Sequence, residues 1–391
     1  MKTVRFGVIG VGGMGTAHAK GIVEAKDASF NLAAVADIDA ARARKVGREL
    51  GVKWFADGPA LIESGLVDAV LVATPHYFHP PLAIRAARAG LHVLTEKPMA
   101  VSVGPAREMV RQCARRKLAL GVMFQQRNRA NMRTMKQMLD AGEVGEVFRV
   151  QMICSTWYRT QAYYDGGSWR GTWNGEGGGI LLNQAPHSLD LFQWIGGMPR
   201  RVLARVGTRH HRIEVENTAN AILEYEGGKT GYIYATTAEA PGMEQLLVAG
   251  DKGTLVADGQ GGLRFGKLAL SLKKHLATSK EAFVSPPCQW RDVPLPQTSA
   301  THIDITRAFV DHVLRGGALV ASGKEGINEL ELSNAIYISG YRNKPVTLPV
   351  DAAEMERLLS ELARRHDTGK SENFRRQSAR ELKQLLGKFP A

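Results

Sequence analysis

VRFGVIGVGGMGTAHAKGI, residues 4–22, runs from a β-type apolar segment straight into a helix-compatible one, and Gly10-x-Gly12-x-x-Gly15 stands at the junction. Alone, this glycine spacing is a weak signal; between a strand and a helix it is the signature of a dinucleotide-binding turn. Gly10 permits the tight turn, Gly12 lets backbone approach a pyrophosphate, and Gly15 lets helix and strand pack closely, while the first helical N–H groups face the phosphates. Gly13 and Met14 lie in the same turn and are expected at the cofactor with them. The plain alternative is a structural turn without a ligand. Against it, a second β-type run, residues 30–36, ends in Asp37. A carboxylate there accepts hydrogen bonds from the adenosine ribose and repels a 2′-phosphate, so NAD is expected over NADP, although Arg42, Arg44 and Lys45 follow closely and can hold a phosphate.

The alternation continues. Residues 67–74, 91–95 and 118–124 read as strands, and 81–89 and 104–116 as helices. Strands alternating with helices imply a parallel, doubly wound sheet that binds its ligand at the carboxyl ends of the strands. Thr74-Pro75-His76 and Glu96-Lys97-Pro98 both fall at such ends. After Phe124 the pattern changes. A helix over 130–139 is followed by alternating apolar segments at 147–155, 202–207, 217–225, 230–237 and 245–249, separated by polar turns. These predict a mostly antiparallel sheet, interrupted by helices over 183–195 and 303–314. The expected fold class is therefore α/β, with a Rossmann domain at 1–124, a second α/β domain at 125–350 and a helical basic tail at 351–391.

Composition bounds the function. The chain has 391 residues, 44% hydrophobic and 23% charged, enough for two or three domains with cores of their own. No apolar run approaches the roughly 20 residues that a membrane span needs. Strand-like sequence begins at Val4 with no charged, apolar and small-residue succession before it. Cys113, Cys154 and Cys288 are odd in number and far apart, which suits neither a disulfide framework nor a zinc site. The expectation is a cytoplasmic protein with no membrane association and no metal. Lys and Arg exceed Asp and Glu by 51 to 38, a net charge of +13, which raises the question of nucleic acid. Part of the excess sits in residues 363–391, with eight Lys/Arg against three acids, and no recognition motif accompanies it. A solvated helix or subunit contact is the simpler reading, and no nucleic-acid partner is expected.

The richest stretch is SWRGTWNGEGGGILLNQAPHSLDLFQWIGG, residues 168–197. On one turn and helix, Asn183, His187 and Asp190 can share a face. The triplet Gly177 to Gly179 reads as a place where backbone comes close to a ligand. Tyr158, Tyr163, Tyr164 and Trp173 read equally as a sugar-binding wall or as core packing. Of Gln125, Gln126 and Arg127, which follow a strand at the domain junction, at least one is expected to face the cofactor or substrate.

With these residues in view, the chain resembles the Gfo/Idh/MocA family of nicotinamide-dependent sugar and inositol oxidoreductases. The likeness rests on Gly10-x-Gly12-x-x-Gly15, Ala73-Thr-Pro-His76 with His79, Glu96-Lys97-Pro98, Trp169-Arg170 ahead of Gly177-Gly-Gly179, and Asn183-x-x-x-His187-x-x-Asp190. It extends to about residue 350. The resemblance implies a second domain with a large open-faced sheet that supplies a substrate wall and a subunit interface, hence a homodimer or homotetramer. It also implies NAD-dependent oxidation of a secondary hydroxyl on a sugar, anhydrosugar, glycoside or cyclitol, with C3 of a hexose ring a candidate position. Lys97 would hydrogen-bond the carbohydrate hydroxyl, and His187 would remove its proton as a base of pKa near 7. Thr74, Pro75, His79, Glu96, Lys97, Gln125, Trp169 and Arg170 would contact cofactor, and Tyr158, Tyr163, Trp173, Asn183 and Gln184 substrate. One position departs: many members carry aspartate where this chain has Asn183, which leaves Asp190 or Asn183 to support His187. Two other classes stay open, a redox-assisted glycoside-cleaving or isomerising enzyme that retains its NAD, and a non-catalytic sugar or nucleotide sensor.

Overall fold

The strands of the N-terminal part are apolar on both faces, as a sheet covered by helices on both sides requires. In the computed structural model, which describes residues 2–372 and 376, they form one parallel sheet. Its strands are β1 (Val4–Ile9), β2 (Phe30–Ala36), β3 (Lys53–Phe55), β4 (Ala69–Val72), β5 (His92–Thr95) and β6 (Leu120–Val122), in the order β3-β2-β1-β4-β5-β6. This is the doubly wound Rossmann order, and its crevice opens where the winding reverses, between β1 and β4. Every residue of β4 and β6 is buried. One of the covering helices, His302–Arg315, comes from far along the chain. It places Ile305, Phe309 and Val310 in the same core, with the Phe309 ring 6.1 Å from that of Phe6.

The three glycines of the turn divide the work as their positions demand. Gly10 has φ +86°, the left-handed region open to glycine. A Cβ on Gly15 would collide with the Gly10 carbonyl oxygen, so the helix Gly13–Glu24 lies against the turn only because that atom is missing. Gly12 has nothing within 4 Å of where a Cβ would stand, so its open side faces space rather than protein.

The second sheet has nine strands: β7 (Val147–Cys154), β8 (Arg201–Gly207), β9 (Thr218–Glu224), β10 (Thr230–Thr236), β11 (Glu244–Gly250), β12 (Gly253–Asp258), β13 (Leu263–Leu268), β14 (Cys288–Asp292) and β15 (Val346–Thr347). Their order is β14-β13-β12-β11-β7-β10-β9-β8-β15. All neighbours are antiparallel except β7 and β10. One face packs on the helices Pro186–Gly196 and Gly323–Arg342. On the other, register aligns Leu203, Ile222 and Tyr232 across β8, β9 and β10, and Leu247 with Val256 across β11 and β12. Leu203 and Ile222 are about half exposed.

Strands β7 to β11 fall within a residue or two of the expected segments. The short β3, strands β12 to β15, and the helices Ala40–Leu50 and Gly323–Arg342 were not foreseen. In Gly323–Arg342 the polar Glu329, Glu331, Ser333 and Asn334 are buried among Leu330, Leu332 and Ile336, so the sequence shows no single apolar stripe. The basic tail opens with the helix Ala352–Arg365; its residues 373–375 and 377–391 lie outside the described residues.

Gly15→Ala is expected to lower stability by about 1–3 kcal/mol, the range for overpacking a well-filled contact, because the atom it meets is backbone. Urea unfolding of the variant against wild type measures it.

Candidate active site

A cavity of ≈ 780 Å³ opens at the carboxyl ends of the first sheet's strands and continues against the second sheet's helix-bearing side. Its volume is that of a ligand pocket rather than a packing defect. Gly10, Gly12, Gly13, Met14 and Asp37 line one part; Thr74, Pro75, His79, Glu96, Lys97 and Gln125 the middle; Trp169, Arg170, Asn183, Gln184 and His187 the rest. Of the residues expected at the cofactor, Gly15 alone is missing from this wall, because its place is the contact with Gly10.

Asp37 ends β2 with its carboxylate held by backbone: Oδ2 accepts the Val11 N–H and Oδ1 the Asp39 N–H, both at 2.9 Å. Arg42 approaches the same carboxylate at 3.3 Å and is shared with Asp39. At the end of β5, Glu96 Oε1 meets His18 Nε2 at 2.6 Å. Burial pushes the Glu96 carboxyl up, but the hydrogen bond and charge of His18 outweigh it and hold it at about 2. The His302 ring stands 5.1 Å from that of His18, so three potential metal ligands, His18, Glu96 and His302, come together where the sequence displays no ligand cluster.

Lys97 Nζ donates to the Asn183 carbonyl at 2.9 Å, and so links the end of β5 to the loop before the helix Pro186–Gly196. Burial lowers the Lys97 pKa, against the opposing charges of Glu96, Glu329 and Glu176. His187 is buried and its imidazole is pushed down to about 3, first by burial and then by the Lys97 charge. It is neutral across the working range, not the base of pKa near 7 that the chemistry alone suggests. His79 sets its ring nitrogens on the carbonyls of Pro98 and Thr74, at 2.8 and 2.7 Å, and so ties the two strand-end loops to each other.

Five buried polar atoms on this wall have no partner among the described residues: Thr74 Oγ1, Gln125 Oε1, Arg159 Nε, Gln184 Oε1 and His187 Nδ1. Buried polar groups are nearly always paired, so these are places for the polar groups of a ligand. Together with the open side of Gly12 and the backbone-held Asp37, they fit a dinucleotide with a polar substrate beside it.

Several expected residues are elsewhere. Trp173 is fully buried, donates its indole N–H to the Glu214 carbonyl at 2.8 Å and packs edge-on against Tyr337 and Tyr341, so it is core and not a substrate wall. Tyr158 is half exposed and off the cavity. Tyr163 stands behind the wall, its hydroxyl accepting from Arg170, Asn183 and Gln184. The glycine triplet does not approach the cavity either. A side chain on Gly177, Gly178 or Gly179 would strike Val101, Tyr337 or the Glu216 backbone, so these glycines serve packing. Asp190 turns away from His187 to a two-point pair with Arg127, at 2.7 and 2.8 Å. Of the residues that sequence reading does not point to, two bear on the site's charge. Arg159 lines the cavity, and Glu176, buried just behind it, reaches Asn183; a lone acid among glycines was the one signal for it.

Residues 4–124 match the profile described as "Oxidoreductase family, NAD-binding Rossmann fold", and residues 132–256 match the GFO/IDH/MocA C-terminal domain. The chain belongs to the Gfo/Idh/MocA oxidoreductase family. Among Gfo/Idh/MocA relatives, D-apiose dehydrogenase of Paraburkholderia graminis is 26% identical over 84% of this chain and 86% of its own. Myo-inositol 2-dehydrogenase of Thermotoga maritima is 29% identical over 65% and 75%. Of solved Gfo/Idh/MocA-like structures, the WlbA dehydrogenase of Bordetella pertussis in complex with NADH and UDP-GlcNAcA superposes with a TM-score of 0.75, at 28% identity, covering 89% of this chain and all of that one. No helix among the described residues is long and apolar enough to cross a membrane.

Removing one member of the Arg127–Asp190 pair leaves the other charge buried at 1% side-chain exposure. Asp190→Ala is expected to cost about 3–5 kcal/mol, read as a lowered midpoint in denaturant.

Proposed function

We propose that this protein is an NAD-dependent dehydrogenase that oxidises a secondary hydroxyl of a sugar, anhydrosugar, glycoside or cyclitol to a ketone. The observation that carries the reading is the meeting of Lys97, Asn183, Gln184 and His187 on the wall of the cavity that also holds the glycine turn, with Gln184 Oε1 and His187 Nδ1 unpaired. D-apiose and inositol dehydrogenases among the relatives support the carbohydrate class.

In this reading bound NAD⁺ supplies the hydride acceptor, and the chain's residues manage position and proton. Gly12 and Gly13 would let backbone N–H groups donate to the pyrophosphate, and Asp37 would accept the ribose hydroxyls, which favours NAD over a 2′-phosphorylated cofactor. Lys97 spends one N–H on the Asn183 carbonyl and keeps two for the reacting oxygen. That contact stabilises the oxygen as its proton leaves. His187, neutral, receives the proton, and Gln184 and Asn183 orient neighbouring hydroxyls. The substrate unit follows a dinucleotide unit ending near residue 124, and the exposed row of Leu203, Ile222 and Tyr232 is the surface a second copy covers in a homodimer or homotetramer.

The test is nicotinamide reduction by the full-length protein with NAD⁺ and NADP⁺ in parallel, over hexoses, anhydrosugars, glycosides and inositols. Activity with NAD⁺ is expected, a ketone is the expected product, and Lys97→Ala should lose about 10²-fold or more in kcat. No reduction with any of these substrates, or an aldonolactone as product, overturns it.

Assembly is checked separately by sedimentation. Wild type should run as a dimer or tetramer, and Ile222→Arg, which places a charge in the centre of the apolar row, should shift it towards monomer; a monomeric wild type defeats the interface.

A further inference from the structure

We propose that Glu176 is a second working carboxyl of this active site, beside Glu96, and a positioning residue that acts through Asn183 on Lys97 and the substrate hydroxyl. The inference rests on the dehydrogenase reading above and deepens it.

The wall shows a deficit that this residue fills. When neutral His187 takes a proton, an imidazolium forms near the Lys97 ammonium, and the two like charges oppose the step. Glu96, ionised on the same wall, opposes this only in part, since its carboxylate is held by His18; Asn183 beside them is uncharged, and Asp190 is committed to Arg127. Glu176 is buried to 1% exposure directly behind Asn183. Its Oε2 accepts the Gly171 N–H at 2.6 Å, and its Oε1 accepts the Asn183 side-chain amide in a short contact. An acceptor at that point dictates which way the amide faces: its nitrogen turns to Glu176, leaving Oδ1 for the cavity side. The backbone joins in, since the Glu176 carbonyl accepts from His76 Nδ1 at 2.9 Å and the Asn183 carbonyl holds Lys97 Nζ. One rigid path thus connects the buried carboxyl to the lysine.

The groups that act on this carboxyl come from several elements. Arg170 and Lys370 are the cations, with the Lys97 ammonium beyond Asn183; the His76 imidazole, the Tyr164 phenol and the Asn183 amide complete the set. Burial dominates them all and pushes the carboxyl up to about 7, despite the opposing hydrogen bonds from Gly171 and Asn183. Glu176 is therefore a group near Lys97 whose charge is poised to change around neutrality. Ionised, it supports the Lys97 ammonium from behind Asn183; protonated, it does not. The balance of the proposed oxidation is unchanged: the carbinol hydrogen would pass as hydride to bound nicotinamide and the O–H proton to His187, while Glu176 neither gains nor loses a proton in the step.

Two measurements on the full-length protein test this. In the first, log kcat is followed against pH for wild type, Glu176→Gln and Glu176→Gln/Asn183→Asp. Wild type should fall on the acid side with an apparent pKa near 7; Glu176→Gln should lose at least tenfold in kcat together with that limb, with KM for NAD⁺ little changed. The double variant, which returns a carboxylate one residue closer, should recover most of the rate. A merely structural glutamate would not be rescued in this way. In the second, melting temperature is followed against pH without substrate. A carboxyl raised from 4.5 to about 7 binds more protons folded than unfolded between those values, so its contribution declines as pH rises through that window. Glu176→Gln should flatten the decline. If Glu176→Gln does not fold, Glu176→Asp is read instead, and it should keep the acid limb while kcat drops. An unaltered limb with kcat within twofold of wild type, or an unaltered melting profile, overturns the proposal. A wild type inactive on every carbohydrate sinks the dehydrogenase reading, while the melting profiles still decide whether Glu176 titrates near neutrality.

Discussion

The Arg127 guanidinium, with its side chain 1% exposed, is the contact on which the geometry of the site depends. It donates to both oxygens of Asp190 on the helix that carries His187, to Glu325 at the start of the helix Gly323–Arg342, and to the Val320 carbonyl. Its own backbone belongs to the turn that presents Gln125 to the cavity. Three segments distant in sequence are thus held by one planar cation whose donors point in fixed directions. A buried pair of this kind is a poor source of net stability, since desolvation offsets the Coulomb gain, but leaving either partner alone is costly. Its consequence is positional: His187 and Gln125 cannot drift apart without uncovering a buried charge.

Around that anchor the site keeps several carboxyls in different states. Glu96 is held ionised by His18, whereas burial pushes Glu176 up to about 7 and Glu329 well above the usual carboxylate range. Glu329 is buried with little hydrogen bonding to its carboxyl, and a neutral acid is the form such a position tolerates. Lys97 sits in the field of all three. Its ammonium is stabilised mainly by Glu96, while burial draws its pKa down, and that opposition leaves the lysine responsive to changes of charge around it.

The Rossmann half was legible because its signals are local. A glycine that must adopt positive φ, one that must admit a neighbouring carbonyl and an acid at a strand end each act within a few residues, and Gly10, Gly15 and Asp37 stand where that chemistry requires. Strand-end residues such as Thr74 and Lys97 followed from the alternation, since a parallel sheet presents its carboxyl ends to one crevice. The second half was harder. Trp173 and the glycine triplet have the composition of a binding wall, yet they pack a core; aromatic side chains and glycines serve both purposes, and only burial separates them. The helix Gly323–Arg342 escaped because a helix enclosed on most sides shows no apolar stripe.

The sequence by itself therefore determined the fold class, the glycine turn, and the strand-end positions of Asp37 and Lys97, because each is specified by short-range geometry or by the direction of a strand, while the roles proposed for Lys97 and His187 came from the family resemblance. Only the tertiary structure decided how charge is distributed there. It gave Asp190 to Arg127, set His18 on Glu96, lowered His187 to about 3 and placed Glu176 behind Asn183. These depend on desolvation and on contacts between residues tens to hundreds of positions apart, and neither quantity is written in any local stretch of the chain.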